Sequence, residues 1–517
     1  MSEIVAWIER HSKLAITGAS LGLGLLFSTG FDPLGWRWLA LASLVGFFFL
    51  FSSRSTVKAN AWMGFVFGLG WFIPGLSWTM NSIAIHGHLP WVVAGLGLFL
   101  LACVLSIFLA VACALARRLG GEHPSRAVFA LTGFWLLTEW CRGDLLANFG
   151  WLQPGYAALD TLLMGWAPLG GVYAVTLMMF VSAALLWQAL SCRLKWVWAP
   201  FLGLVVVFGV GQMAKDHTWS HASSTLDVRV LQPALPIVDA YTKADTATRV
   251  ASMLPEAEKP WAPSDRPRLL LTPEGVVNGL VNRLSGQAAS ALMSLQEKSE
   301  ALVLFNGFRQ EGRRIFNTSF VLGEGHIAYR LDKRELVPFG EFVPAGARWF
   351  VDLIGIPMAD LTPGDGVQPL LQIGQTHIGI LICYENLYGN VVRSFWQTHS
   401  PDFLIVTSNL GWFGRSVVSQ HLAMSRVRAI ESARPLVSVN NSGLSAVVNS
   451  KGEIVKALSE TSADAMTVPL LGATGSPTPY IRFGAYPFLF LALLFAFNGF
   501  FLQWREKNLT GRLHQTK

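Results

Sequence analysis

Long apolar segments alternate with short polar loops over the first 213 residues and return once near the carboxyl end of the chain. Eight of them are apolar enough to cross ~30 Å of hydrocarbon at a helical rise of ~1.5 Å per residue. The fifth is the weakest, because it is short and carries Glu139 near its end. The pattern predicts a helical membrane bundle of about eight spans. The segments are 14–31, 36–53, 60–80, 90–116, 126–140, 168–191, 196–213 and 485–504.

The stretch between the seventh and eighth segments has a different pattern, with apolar runs of only three to five residues. Helical stretches at 288–298 and 419–432 lie between some of these runs. Short buried strands that alternate with helices are typical of α/β domains with parallel strands. The sequence therefore predicts a membrane domain over 1–213, an α/β domain over 214–483, and a last span with its tail over 484–517. The predicted strands are 228–231, 269–271, 301–305, 378–382, 403–406, 436–439 and 445–448.

The charged residues do not change the predicted division into domains, but their distribution predicts how the chain is oriented in the membrane. Charged residues make up 14% of the chain, against ~25% in an ordinary soluble domain. The net charge of +7 does not indicate a nucleic-acid partner, because the basic residues form no block.

Basic residues instead concentrate in alternate loops, which by the positive-inside rule face the cytoplasm. We therefore expect a multi-pass membrane protein with both termini cytoplasmic and residues 214–483 outside the cytoplasm. The residues that carry this argument are Arg10, Lys13, Arg54, Lys58, Arg117, Arg118, Arg126, Arg193, Lys195, Arg505, Lys507, Arg512 and Lys517.

Three reactive residues of the α/β domain follow predicted strands or lie in loops. Cys383, the only cysteine of 214–483, comes directly after the apolar run 378–382. Glu274 follows the run 269–271, and Lys333 opens a loop rich in proline and glycine. A thiol, a base and a fixed ammonium suit acyl transfer. Taken alone, each residue also fits a structural role: Cys383 as a small buried hydrophobic residue, Glu274 as a turn carboxylate and Lys333 as a surface lysine.

Their order is what makes the pattern specific. Pro273-Glu274, Lys333-x-x-Leu-Val-Pro-Phe-Gly-Glu341 and Cys383-Tyr-Glu385 resemble the nitrilase (carbon–nitrogen hydrolase) superfamily. The extended loop motif, with several spans before the domain and one after it, narrows the resemblance to the apolipoprotein N-acyltransferase family. Further matching pieces are Trp151-Leu-Gln-Pro-Gly-Tyr156, Gln420-His421, Arg428-Ala-Ile-Glu431, Asn440-Asn441 and Thr478-Pro-Tyr480.

The resemblance implies an αββα sandwich and a ping-pong reaction through a cysteine thioester. The acyl donor is a membrane glycerophospholipid, and the acceptor is the α-amino group of a diacylglyceryl-cysteine at the start of an apolipoprotein. Cys383 is implied as nucleophile, Glu274 as base, and Lys333 as oxyanion stabiliser. No cofactor and no metal are implied. The implied location is the bacterial cytoplasmic membrane, with residues 214–483 in the periplasm. The residues implied in support of these three are Glu341, Tyr384 and Glu385.

The sequence indicates the substrate-binding residues less clearly than the triad, because the same aromatic side chains are equally typical of a hydrophobic core. The apolar segment 345–358 reads either as a packed helix or as a lid at the lipid interface. The candidates are Trp412, Phe413, Trp349, Phe350, Trp151 and Asn440.

The sequence also departs from the family pattern at three places. These are Gln232-Pro-Ala-Leu-Pro236, Asn409-Leu-Gly-Trp412 and Asn440-Asn-Ser-Gly443. They leave open a lipid-binding protein without activity, and the same triad with water as acceptor leaves open a membrane-tethered amidase. The complete triad speaks against the lipid-binding alternative.

Overall fold

The structure, a computed structural model, describes residues 13–235, 246–343, 346, 348, 360–460 and 462–498. The chain divides into two compact units. The first contains the residues up to Ala84, Leu89–His217 and the residues from Arg482 onward. The second contains Ile85–His88 and Thr218–Ile481.

The first unit is helical, and a helix lies on each of the eight predicted apolar segments. A short helix and a π-helical turn, Thr79–Asn81 and Ser82–His86, follow the third helix. Within the sixth helix the glycine pair Gly170-Gly171 has non-helical backbone angles and marks a kink. The main helices are α1 Lys13–Ser28, α2 Arg37–Ser52, α3 Val57–Gly75, α4 Trp91–Gly120, α5 Pro124–Trp140, α6 Ala167–Ser191 and α7 Trp198–Asp216, with a carboxyl-terminal helix Tyr486–Asn498.

Fewer helices than eight meet a strict test for membrane spans. Among the described residues, three are long and apolar enough to cross a membrane: Trp91–Gly120, Leu162–Ser191 and Leu194–Asp216. A fourth is gained if Val57–Gly75 and Thr79–His86, bent by 63°, are counted as one broken span. The other apolar helices are shorter, so the number of spans stays a prediction.

Glycines let two of these helices pack closely. A Cβ added to Gly24 of α1 would lie 2.1 Å from the Phe67 carbonyl oxygen of α3. A Cβ on Gly70 would lie 2.4 Å from the Leu21 carbonyl oxygen. Small residues that bring backbones together are typical of helix packing in lipid, where the hydrophobic effect does not drive association.

The second unit contains two six-stranded sheets. Their strand orders are β12-β1-β2-β3-β4-β5 and β11-β10-β9-β8-β7-β6. Strands β1 to β3 are parallel in the first sheet and β7 to β9 in the second, and antiparallel strands form the edges. The strands are β1 His221–Gln232, β2 Arg268–Leu271, β3 Leu302–Glu311, β4 Arg314–Gly323, β5 His326–Asp332, β6 Leu371–Ile373, β7 Thr376–Ile382, β8 Phe403–Ser408, β9 Leu436–Asn440, β10 Ala446–Val448, β11 Ile454–Ala457 and β12 Asp464–Thr474.

Apolar side chains of the two sheets form one shared core. Val228 and Leu269 of the first sheet pack in the same buried cluster as Ile380 and Val437 of the second. On its other face the first sheet packs on helix α8, Gly286–Ser299. The second sheet is covered by helix α9, Arg415–Ser432, and by shorter helices, so the layers are α-β-β-α. The shorter helices of this unit are Thr246–Ala251, Leu254–Ala257, Gly389–Ser394 and Pro479–Phe483.

Candidate active site

Cys383 lies where parallel strand β7 ends, which is where the sequence places it. It begins the 3₁₀ turn Cys383–Leu387 and has a φ of +52°, a left-handed conformation that non-glycine residues seldom adopt. Its side chain is 7% exposed. A strained backbone conformation persists only where surrounding contacts hold it in place, and such conformations are concentrated at functional sites.

Glu385 provides contacts of this kind, being fully buried two residues after the cysteine. Its Oε2 accepts the backbone N–H of Ile382 at 2.8 Å. Its Oε1 accepts the backbone N–H of Arg334, also at 2.8 Å. This one carboxylate therefore connects the turn that carries Cys383 to the loop that carries Lys333. Burial raises the pKa of Glu385, and the two backbone N–H groups act against that rise.

Glu274 and Lys333 reach the site from the other sheet. Glu274 follows β2, and the next backbone N–H, of Gly275, donates to Asn306 Oδ1 at 2.8 Å. Lys333 follows β5 directly, and its backbone N–H donates to the Asn317 carbonyl at 2.8 Å. The Lys333 side chain is only 1% exposed. A buried ammonium needs anionic partners, and two carboxylates supply them.

The ammonium of Lys333 lies between two carboxylates. Its Nζ is 3.3 Å from Glu274 Oε1 and 3.0 Å from Glu341 Oε1. Glu341 is fixed in turn by the Val337 N–H, which donates to its Oε2 at 2.8 Å. The geometry thus brings Glu274, Lys333 and Glu341 together, and Cys383 faces the same group of charges.

The carboxylates raise the pKa of both the amine and the thiol, which keeps the amine charged and the thiol neutral. Burial lowers the pKa of Lys333, but Glu274, Glu341 and Cys383 outweigh burial, so the pKa rises above its ordinary value and the amine stays charged. Burial raises the pKa of Cys383, the negative charge of Glu274 raises it further, and Lys333 acts in the opposite direction. The resting thiol is therefore protonated at neutral pH. Attack by its sulfur needs a base that takes the proton as the bond forms.

Three further predicted residues also lie in the second unit. Trp412 is half-buried after β8, and its ring is 4.7 Å from that of His86; Phe413 follows it and is also half-buried. Asn440, by contrast, is 1% exposed, and its Nδ2 donates to the Leu444 carbonyl at 2.9 Å. This contact holds a turn, so it gives Asn440 a local structural role.

The remaining predicted residues are placed differently. Tyr384 is buried, with its ring 5.4 Å from that of Tyr388. Trp151 belongs to the first unit, where its ring packs 4.9 Å from Trp78. Trp349 and Phe350, with most of the segment proposed as a lid, lie outside the described residues.

Two side chains at the site are absent from the predicted site residues, although His421 belongs to one of the matching pieces of sequence. Asn317 donates its Nδ2 to Glu274 Oε1 at 2.9 Å and to Glu341 Oε1 at 2.7 Å. Its only signal in the sequence is a polar run, Asn317-Thr-Ser319, between phenylalanines in a buried strand. His421 of α9 has its Nε2 3.3 Å from the carbonyl oxygen of Cys383, and burial lowers its pKa to about 4, so it is neutral.

No cluster of three or more His, Cys, Asp or Glu side chains suited to a metal ion occurs among the residues that the structure describes. The absence of a metal from the reaction stays a prediction from the sequence.

Family models match both units of the chain. The model for the apolipoprotein N-acyltransferase N-terminal domain matches residues 23–185, and the model for carbon–nitrogen hydrolase matches residues 240–474. The α-β-β-α layers, the buried cysteine at a strand end and the lysine between carboxylates agree with the second match. The class of protein is thus a carbon–nitrogen hydrolase domain joined to apolar helices.

Relatives of nearly the same length identify the family within this class. An apolipoprotein N-acyltransferase of Ralstonia nicotianae is 33% identical over 90% of this chain and 90% of its own. Those of Methylococcus capsulatus, at 32% identity over 92% of each chain, and Nitrosomonas europaea, at 30% over 94% of this chain and 95% of its own, agree. The chain belongs to the apolipoprotein N-acyltransferase family. It is an acyltransferase, and with its apolar helices it is associated with a bacterial membrane.

Proposed function

We propose that this enzyme moves an acyl chain from a membrane glycerophospholipid to the α-amino group of a diacylglyceryl-cysteine at the start of an apolipoprotein. Cys383 carries the acyl chain in between as a thioester. The observation that carries this proposal is the meeting of a buried thiol, a carboxylate and an ammonium at strand ends, in a chain whose other unit consists of apolar helices. Both substrates are lipids, so a membrane-anchored site can meet them in the bilayer.

In the first half-reaction Glu274 takes the proton of Cys383 while the sulfur attacks the ester carbonyl carbon. Negative charge moves to the carbonyl oxygen, where the ammonium of Lys333 stabilises it. The intermediate collapses, the carbon–oxygen bond to the glycerol breaks, and Glu274 returns its proton to the departing alkoxide. A lysophospholipid leaves, and the thioester remains.

In the second half-reaction the lipoprotein amine attacks the thioester carbonyl, and Glu274 takes a proton from the nitrogen. Collapse of this intermediate forms the amide and breaks the carbon–sulfur bond, and the leaving sulfur regains a proton from Glu274. Water must be kept from the thioester during the interval, because hydrolysis would release a free fatty acid. Burial of Cys383 supports that requirement.

We further propose the arrangement in the membrane that the charge pattern predicts. Eight spans anchor the protein, residues 214–483 lie on the periplasmic side, and the last span returns the chain to the cytoplasm. The alternation of basic loops supports this arrangement.

The experiment uses the full chain in detergent, mixed with vesicles of dipalmitoyl phosphatidylethanolamine. Intact mass should show one palmitoyl group on the wild-type protein, removable by neutral hydroxylamine, and none on Cys383→Ala. Addition of a diacylglyceryl-cysteine peptide should discharge the adduct and give an N-palmitoyl peptide. Release of palmitic acid at the same rate with and without the peptide would instead identify a hydrolase, and absence of any adduct on the wild-type protein would overturn the thioester.

A further inference from the structure

Four polar atoms at the site form a closed ring in which donors and acceptors alternate. Lys333 Nζ is 3.3 Å from Glu274 Oε1, which accepts Asn317 Nδ2 at 2.9 Å. The same Nδ2 donates to Glu341 Oε1 at 2.7 Å, and that oxygen is 3.0 Å from Lys333 Nζ. Asn317 therefore faces the same two oxygens as the ammonium, from the opposite side of the ring.

The orientation of the Asn317 amide is fixed by a second asparagine. Asn317 Oδ1 accepts Asn306 Nδ2 at 2.7 Å, and that same nitrogen donates to the Thr318 carbonyl at 3.1 Å. The Asn306 side-chain amide cannot be rotated by ~180° to exchange its oxygen and nitrogen, because its Oδ1 accepts the N–H of Gly275 at 2.8 Å. The nitrogen of Asn317 must then point at the carboxylates. Both asparagines are nearly fully buried, at 3% and 4% exposure.

We propose that Asn317, oriented by Asn306, is a positioning residue that holds the Glu274 carboxylate in place and directed at Cys383. The inference rests on the proposed function and adds to it a residue that touches neither substrate. Its chemical reason is the charge balance of the ring, which has two carboxylates and one ammonium. A neutral amide adds two donors to the ionised oxygens without adding a charge that would also stabilise a resting thiolate.

The prediction for pH follows from that reason. A hydrogen bond to the ionised form of a carboxyl favours that form, and the Asn317 variants lose the bond that Asn317 donates to Glu274. The acidic side of the rate profile for thioester formation should therefore move upward in the variants. The other titratable groups that act on Glu274 are Lys333, Glu341, Cys383 and His421; Asn317→Leu leaves this set unchanged, whereas Asn317→Asp adds a carboxyl of its own.

Two variants test the role. Asn317→Asp keeps the shape but replaces the donating nitrogen with an acceptor, and Asn317→Leu keeps the approximate size without any hydrogen bond. We expect thioester formation to fall roughly 10- to 100-fold at neutral pH, somewhat less than for loss of a group that contacts the reacting atoms. The acidic side of the rate profile should move up by about one pH unit, the scale of a hydrogen bond to a charged group.

Two matched controls separate positioning from a loss of stability. Thr318→Val removes a buried hydrogen bond from the next residue of the same strand, where Thr318 Oγ1 donates to Asp332 Oδ1 at 2.6 Å. It should lower the melting midpoint without moving the pH profile. Asn282→Ala changes an exposed asparagine of the same domain, which bonds the backbone of Gln310, and should change neither quantity.

The measurement is the rate of palmitoyl adduct formation on the full chain, between pH 5 and 9, with the melting midpoint of each sample. A profile that stays in place in Asn317→Asp, with only a slower rate or a lower midpoint, would overturn the positioning role. This result can be obtained with Asn317→Asp alone, so the test does not depend on whether Asn317→Leu folds. Absence of an adduct on the wild-type protein would count against the proposed function instead.

Discussion

Lys333→Met tests whether the site depends on its buried cation. Methionine fills most of the lysine volume but leaves Glu274 and Glu341 without the ammonium that lies 3.3 Å and 2.9 Å from them. Because Asn317 still draws both carboxylates toward one point, two negative charges then face each other without compensation. Both catalysis and stability should suffer, and each for a reason that can be measured separately.

The expected sizes follow from the geometry. At the effective dielectric of ~20 used for protein sites, each contact contributes about 4 kcal/mol of attraction, and desolvation of the ammonium offsets several kcal/mol of the sum. Breaking a buried pair of this kind usually costs about 3–5 kcal/mol. For a domain of ~150–250 residues that corresponds to a fall of about 10 °C in the melting midpoint. Loss of the oxyanion stabiliser should slow thioester formation by ~10²-fold or more.

The pH dependence gives the sharper test of the stability term. Two carboxylates that face each other without the ammonium repel, and protonation of either one as the pH falls toward ~4.3, the ordinary value of a free glutamate, relieves that repulsion. As the pH is lowered from about 7 to 4.5, the melting midpoint of Lys333→Met should therefore approach that of the wild type. In the wild type the Lys333 pKa is raised, so its stabilisation is complete below ~10.4 and is lost only above it.

Calorimetry of the full chain at several pH values measures the midpoint, and intact mass measures the adduct. Lys451→Met is the control, because this lysine lies in an exposed turn of the same domain and should change neither result. A midpoint difference that stays constant down to pH 4.5 would show that the cost is a packing defect and not uncompensated charge. A normal rate of acylation would show that Lys333 is not the oxyanion stabiliser.

Three further outcomes are expected. Glu385→Gln replaces one of the two accepting oxygens with an NH₂ group, so that a donor faces a backbone N–H donor. It should lower the free energy of unfolding by about 1–3 kcal/mol and slow acylation by ~10-fold or more, and melting curves and adduct rates measure these two effects. Glu274→Gln should slow palmitoyl adduct formation on Cys383 by ~10²-fold or more, even though it removes one of the charges that raise the thiol pKa, because no base then takes the thiol proton; an unchanged adduct rate would refute the base assignment. A reporter active only outside the cytoplasm should be active when fused at Gly472 and silent after Lys517, and the reverse would contradict the orientation.

The elements that could be predicted from the sequence are those whose pattern is strong by itself. The helices of the first unit follow from long apolar runs, and β7, β8 and β9 from continuous buried runs bounded by polar residues. Strands β5 and β11 were missed because they lie near sheet edges with mostly exposed residues, so their side chains give little hydrophobic signal. Strand β12 alternates buried and exposed positions and contains Pro469, which argues against a central strand and fits an edge.

The meeting of Glu274, Lys333 and Cys383, the proposed triad, could be predicted because each of these residues follows a strand or opens a distinctive loop in a known order. Asn317 could not, because its role depends on register: it lies within β4, diagonally across from Asn306 of β3. An isolated polar residue in a strand predicts only that some partner exists. Which partner it has is decided by how two distant strands align, and that information is spread over the whole sheet.

Taken together, the charges of the site explain why a reactive cysteine can persist there. Thiolates are the forms that oxidise and alkylate, and their abundance falls as the thiol pKa rises. Burial and the carboxylate Glu274 keep Cys383 protonated at rest, while Glu274 lies ready to take that proton when a carbonyl carbon is in place. The ammonium of Lys333 is already charged and fixed, so an oxyanion that develops as proposed would meet it without rearrangement. In the proposed mechanism reactivity arises with the substrate, which suits an enzyme whose thioester must wait for a second lipid.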